Sequence, residues 1–367
     1  MEERRNPFTP TFGMVPPFLA GRDRLLREMS RAFEDGPGNP NLSTILVGAR
    51  GTGKTTLLSR IGDVARSHGW LTVDAVAVPG MLEDIIQQAG KAAAHLIERE
   101  PGRRLSAVEL GRLLSLEWVF SEPETSNWRA RIEALLEKIE QQGSALLITV
   151  DEVTPSVDEV VMLASIYQLL IRGGHKVALV MAGLPSDVTA LISDDRASFL
   201  RRARQRHIGR IDETEVRLAL RRTIESAGKT IEDGALDAAA RATDGFAYML
   251  QLVGYFAWEE AWDRETLDSA SVARGIEEAR EDFSRGVLDV TYREMSRKDR
   301  EFALAMLKDE HGSRLTDIAG RMGVSNGYAS TYKRRLLGQG VIGERPGGLL
   351  DFDIPLMRAY LSEFAQD

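Results

Sequence analysis

Apolar residues recur along this chain with two different periods. Short, mostly apolar runs at residues 43–47, 145–150 and 177–182 predict buried strands, and residues 70–76 a further strand. Between them, apolar residues spaced three and four apart predict helices. Residues 24–33 place Leu25, Leu26, Met29 and Phe33 on one face, and residues 128–141 line up Ile132, Leu135, Leu136 and Ile139. Residues 81–100, 105–116 and 157–171 read the same way, residues 36–41 as a turn and residues 121–126 as a loop. Strands alternating with helices predict an α/β fold with a mainly parallel, doubly wound sheet. From residue 213 the strand signal fades. Residues 213–226, 233–243, 246–262 and 269–288 predict a small helical domain beside the sheet. Residues 1–20, rich in proline and aromatics, predict an extended arm lying on a domain.

Composition narrows the class. The 367 residues are 43% hydrophobic and 28% charged, as in a soluble globular protein of two or three domains. The absence of cysteine excludes disulfides, thiolate zinc sites and cysteine catalysis, and fits a reducing compartment. No apolar run approaches the ~20 residues that span a bilayer, and the first residues carry no secretory apolar region. The expectation is a cytoplasmic protein without membrane contact. A net charge of −8 argues against a coat of nucleic acid but leaves room for one local binding face.

The segment Gly48-Ala49-Arg50-Gly51-Thr52-Gly53-Lys54-Thr55 matches G-x-x-x-x-G-K-[ST] and lies between a strand pattern and a helix pattern. Glycines let backbone N–H groups turn toward phosphate oxygens, and the new helix adds its unpaired amino-terminal donors. Gly48, Arg50, Gly51, Thr52, Gly53, Lys54, Thr55 and Thr56 are therefore candidate nucleotide-binding residues. Lys54 reaches the β- and γ-phosphates and Thr55 holds magnesium. Asp151 and Glu152 end the apolar run 145–150. Asp151 is the second candidate for Mg2+, and Glu152 the residue that polarises water. The competing reading is an acidic pair capping the next helix. The strand end Ala182-Gly183 lacks a polar side chain to sense a γ-phosphate, and Ser186 or Asp187 would have to substitute. The basic run at residues 199–207 has three readings: a solvated face, an arginine finger (Arg201 and Arg202) acting in cis or on a neighbouring subunit, or contacts to DNA phosphates. Its place after the strand end at 182 favours the finger over DNA contact.

Four features in order carry a resemblance: Phe18-Leu19-Ala20-Gly21-Arg22-Asp23, the phosphate loop, Ile148-Thr149-Val150-Asp151-Glu152-Val153, and residues 243–251. Over roughly residues 15–265 the chain resembles AAA+-type ATPases of the group that includes archaeal-type, origin-recognition-type and numerous-domain signalling ATPases. The resemblance implies a P-loop sheet with a helical lid, ATP/ADP and Mg2+ as ligands, and Gly21 and Arg22 near the adenine. Related lids place an arginine, or a proline two residues after the glycine, against the nucleotide. Here Ala247 stands there, which implies slow, switch-like hydrolysis.

The pattern changes again after residue 296. Residues 299–307, 315–322 and 327–337 predict three helices, with a turn at 323–326 and two short strands around a glycine turn in 340–352. Ala319 permits close packing, Gly323 turns the chain and Val324 plugs the core, as in a helix-turn-helix with a wing. Residues 313–345 hold six Lys/Arg against two acids. In the third helix Asn326, Tyr328, Ser330 and Thr331 would face the bases or sugars of double-stranded DNA, and Lys333, Arg334 and Arg335 its phosphates. A winged helix that makes protein contacts, or packs against the ATPase, remains the other reading. The expected divisions are an arm (1–20), a P-loop ATPase domain (21–211), a helical lid (212–292) and a winged-helix domain (293–367). Two functions follow: an ATP-regulated DNA-binding protein, with a homo-oligomer among its expected assemblies, or a nucleotide switch in signalling or defence acting on an unknown protein partner.

Overall fold

The computed structural model describes residues 5–11, 14–98 and 124–364. The helix expected at 105–116 lies outside them. The first part of the chain runs α1 (Asp23–Asp35), β1 (Ser43–Val47), α2 (Lys54–Ser67), β2 (Leu71–Val76), α3 (Met81–Glu98), α4 (Glu124–Gln141), β3 (Leu146–Asp151), α5 (Asp158–Arg172), β4 (Val177–Gly183), α6 (Pro185–Ser193) and β5 (Arg204–His207). Residues 124–126, expected in a loop, form the first turn of α4. The five strands are parallel, in the order β2-β3-β4-β1-β5.

The strand period of two sorts the side chains. Ile45, Ile148, Val150, Leu179 and Met181 enter a core covered by α3, α4, α5 and α6. Leu46, Leu147, Ala178, Val180 and Ala182 enter the opposite core, under α1 and α2. Both faces of β3 and β4 are thus apolar, and their sequences read as unbroken hydrophobic runs. At the edge, β5 carries Arg204 and Arg206, charges that discourage further strand pairing.

A helical unit follows: α7 (Glu213–Ser226), the two-residue strand β6 (Thr230–Ile231), α8 (Asp233–Ala242), α9 (Ala247–Glu260), β7 (Thr266–Leu267) and α10 (Ser269–Phe283). Asp212 and Asp268 cap α7 and α10 through their side chains. Helices α9 and α10 meet where Gly275 presses on the backbone of Ala257, with no room for a Cβ. The helix expected over 269–288 widens into a π turn at Ser284–Leu288 and continues as α11 (Asp289–Glu294). The division expected at 292/293 therefore falls inside a helix.

Ser296 and Asp299 form a capping box that starts α12 (Arg297–Met306). Then come α13 (Leu315–Arg321), α14 (Asn326–Gly338), the antiparallel pair β8 (Ile342–Arg345) and β9 (Leu349–Phe352), and α15 (Met357–Phe364). Ser313 bridges to Leu350 beside that pair. The core of this region is continuous with the helical unit: buried side chains from Phe8 through Trp258 and Phe302 to Leu361 form one cluster. Among the described residues no helix is long and apolar enough to cross a membrane.

The Gly275 contact yields a direct test. Replacing Gly275 by leucine should lower stability by roughly 1–3 kcal/mol, the usual cost of overpacking, read as a shift in the urea midpoint.

Candidate functional site

The phosphate loop leaves the carboxyl end of β1 at the middle of the sheet. Gly51 (φ 76°) and Gly53 (φ 86°) take left-handed conformations that side chains resist. Gly48 lies against Ile208, where a Cβ would come within 2.5 Å of the Ile208 carbonyl oxygen. The loop ties itself together: the Thr52 hydroxyl donates to Ala49 O (2.8 Å), and the Lys54 ammonium donates to Gly48 O and Ala49 O (2.9 Å each). Burial pushes the Lys54 ammonium below lysine's ordinary value, while nearby Asp151 and Glu152 pull it back up.

The two candidate magnesium residues meet. Thr55 Oγ1 donates to Asp151 Oδ2 at 2.5 Å. A hydroxyl and a carboxylate this close, beside a glycine loop at a helix start, match the donor set of a cation that takes its other ligands from phosphates and water. Among the described residues no group of three or more His, Cys, Asp or Glu side chains could hold a metal. Glu152 follows with a left-handed φ of 55°, uncommon outside glycine, and its side chain is exposed. Its N–H donates to Asp151 Oδ1 (2.8 Å). Helix α5 begins only at Asp158, so Asp151 and Glu152 do not cap it, and that alternative is set aside.

A cavity of about 550 Å3 opens beside the loop, within the usual range for small-molecule sites. Arg50 through Thr56 form one end. Arg22, Ile211 and the start of α9 form a side, and the π turn supplies Gly286 and Val287. Arg22 reaches across to Gly209 O (2.8 Å), and burial lowers its guanidinium from the ordinary value. Gly21 (φ 66°) packs behind it on Ile211. The arm also lines it, with Thr9, Pro10, Thr11, Phe18 and Leu19, as do Leu250 and Gln251 of α9. Sequence reasoning placed the arm on a domain but did not see that it walls this cavity. The only hint was its run of prolines and aromatics. The lid sits directly on the loop: Tyr248 N–H donates to Gly51 O (3.2 Å), and Ala247 packs against Gly53.

Three expectations need correction. The basic run follows the nucleotide-facing end of β4 in sequence but not in space, because the chain first crosses back through α6. Arg204 pairs with Thr44 and His207 with Val47, so Arg201 and Arg202 precede β5 at the amino end of the sheet, opposite the phosphate loop. Arg201 donates to Ile192 O (3.0 Å), and both arginines are exposed. Neither reaches this chain's own loop in cis. Ser186 is not a free sensor, because its hydroxyl donates to Gly338 O (2.9 Å). Asp187 stays near the loop: burial raises its carboxyl and Arg50 opposes that. In α14, Lys333 pairs with Glu344 (2.6 Å) and Arg335 with the buried Asp299 (2.7 Å), so two of the three expected phosphate-binding cations already have partners. Asn326, Tyr328, Thr331 and Arg334 are exposed, and Ser330 is half-buried.

The last helices dock on the loop itself. A Cβ on Gly338 would lie 2.5 Å from Ser186 Cβ, and one on Gly340 would lie 2.7 Å from Ala49 Cβ. Arg50 pairs with Glu294 (2.7 Å), and Arg210 with Asp244 while donating to Phe352 O (3.2 Å).

Residues 285–361 match a family described only as a domain of unknown function, DUF8462. No curated protein matches the chain. Solved structures do. The Walker-type ATPase of Pyrococcus abyssi is similar at 15% identity, with a TM-score of 0.66 over 94% of this chain and 96% of that one. The ADP form of the Aeropyrum pernix ORC2 protein is similar at 15% identity, TM-score 0.55, over 97% of each chain. Cdc6p from Pyrobaculum aerophilum is similar at 15% identity, TM-score 0.50, over 97% of each. At such identities the likeness is one of fold: over nearly its whole length, this chain shares the fold of these three structures.

Proposed function

We propose that the protein is an ATP-binding, slowly hydrolysing ATPase that works as a switch, with a C-terminal winged-helix module that responds to the nucleotide. The observation that carries this reading is the meeting of Thr55 and Asp151 beside a lysine-bearing glycine loop. Lys54 and the loop N–H groups hold the phosphates, and Thr55 with Asp151 holds Mg2+, which neutralises phosphate charge when bound. Glu152 orients the attacking water. Ala247 and Gly183 offer no polar group to the γ-phosphate, which supports slow turnover.

The docking of the module supports the switch. Lys54 holds the carbonyls of Gly48 and Ala49, and Ala49 is the residue Gly340 touches. When the lysine turns to phosphate oxygens it releases those carbonyls, and the shift is felt one contact away. A cavity of about 200 Å3 between Ala49, Pro185, Leu337 and Gly340 leaves room for such movement. In this reading the module acts first as a clamp on the ATPase. The exposed face of α14 favours a second, compatible role: Asn326, Tyr328, Thr331 and Arg334 can contact double-stranded DNA, while Lys333 and Arg335 stay in their ion pairs.

Lys54→Ala should abolish ATP and ADP binding in calorimetry. Glu152→Gln should bind ATP as tightly as the parent but lose at least about 100-fold in turnover, as expected for a residue that orients the attacking water; normal phosphate release by this variant would remove Glu152 from its role. For the module, protease cleavage near residue 340 should differ between ATP- and ADP-loaded protein, and Gly340→Leu should erase the difference. For DNA, Arg334→Glu should weaken binding of a random duplex and flatten its salt dependence by about one counterion. A duplex that binds the parent and the variant equally would discard the DNA role and leave the clamp.

A further inference from the structure

The phosphate loop carries a second cation besides Lys54, and that cation is engaged by another part of the molecule. Arg50 donates to Glu294 Oε2 at 2.7 Å, with both side chains more than half exposed. Glu294 is the last residue of α11. That helix is tied to the C-terminal module twice. Tyr360 of α15 donates to Asp289 Oδ1 (2.6 Å). Arg300 of α12 donates to Tyr292 O (3.1 Å), and its Cζ lies 4.3 Å from the centre of the Tyr292 ring. The Arg50–Glu294 pair therefore links the loop of the sheet directly to the module. Arg50 and α11 also line the same cavity, α11 through Val290 and Thr291.

The charge of Arg50 is felt where phosphates would lie. Burial lowers the Lys54 ammonium and raises the Asp187 carboxyl; Arg50 adds to the first shift and opposes the second. A guanidinium presents five N–H donors, and among the described residues Glu294 is its one ion-pair partner. The competing positions for a phosphate sensor are empty of suitable groups. Ala182, Gly183 and Ala247 have no polar side chain, and the Ser186 hydroxyl is spent on Gly338 O. The pair itself is easily given up, because an exposed ion pair is worth little in water. A guanidinium on a phosphate gains parallel, charge-assisted hydrogen bonds, which are stronger.

We propose that Arg50 reads the terminal phosphate of ATP and that Glu294 competes with that phosphate for it, so that ATP frees the end of α11 and ADP leaves the pair closed. The inference rests on the nucleotide reading above and names the two residues that carry its signal. The third phosphate brings charge beyond what Lys54 and the loop N–H groups take up, and Arg50 is the loop's remaining cation. Glu294 touches no nucleotide; it acts by holding Arg50 away. Because α11 is tied to α12 and α15, losing the pair loosens the module at one of its two holds on the loop. The contact of Gly340 with Ala49 is the other.

The test uses the full chain with Mg2+, and compares calorimetric affinities for ADP and a non-hydrolysable ATP analogue with hydrogen exchange over residues 284–294. Arg50→Gln should weaken the analogue by about tenfold, the scale of one lost charge-assisted hydrogen bond, and ADP by much less. Glu294→Gln should tighten the analogue by about two- to fivefold, the worth of an exposed pair, without a matching gain for ADP. In the double variant Glu294→Gln should add nothing to Arg50→Gln, a coupling that a merely structural role would not produce. In the parent, the analogue should speed exchange in the last turn of α11 relative to ADP, and Arg50→Gln should erase that difference. Equal losses for both nucleotides in Arg50→Gln, or an unchanged analogue affinity in Glu294→Gln, would overturn the competition and leave the nucleotide reading standing. If the parent and Lys54→Ala bind the analogue alike, the nucleotide reading itself fails and takes this inference with it.

Discussion

The short hydrogen bond from Thr55 to Asp151 joins positions 96 residues apart in sequence, and the strand order is what permits it. Strand β4 lies between β1 and β3, so the loop after β1 and the acidic tip of β3 face each other across the end of β4. That end carries Ala182 and Gly183, small enough to leave the space between them open; Gly183 already touches Val153, with no room for a Cβ. A bulky residue at either place would push the two halves of the site apart. The absence of a polar side chain there is thus a steric feature as well as a chemical one.

Much of this was legible in the sequence because the relevant signals are local. The apolar runs of β3 and β4 and the glycine spacing of the loop each depend on a few neighbouring residues. What could not be read was set by long-range pairing. Nothing in residues 199–207 says which end of the sheet they occupy. That is decided by the register of Arg204 on Thr44, so the arginines were misplaced. Likewise the basic count in residues 313–345 was correct, yet Asp299 and Glu344, brought in by tertiary packing, engage two of those charges. The arm's place on α9 depends on one glycine whose meaning appears only with Phe8 beside it.

The electrostatics of the module illustrate how burial changes the weight of a charge. Arg335 pairs with a carboxylate that has no exposed surface, while Arg50 and Glu294 are both more than half exposed. The second pair is worth little in water. Removing Arg335 would leave a buried charge uncompensated. The docked position of the module is therefore set by the close glycine contacts and its internal ion pairs, and the surface bridge adds mainly orientation.

The uninterrupted core from Phe8 to Leu361 has a mechanical consequence. Strap, lid and last helices share one apolar interior, so they cannot slide past one another without exposing it. Any opening of the cavity must swing all three as one rigid arm against the sheet. Two links join this unit to the sheet: the one from Ala20 to α1, and the crossing after β5, where Gly209 is exposed and Ile211 N–H bonds Gly245 O. A shift at Ala49, which Gly340 touches, would then be carried to α14 and to the arm together.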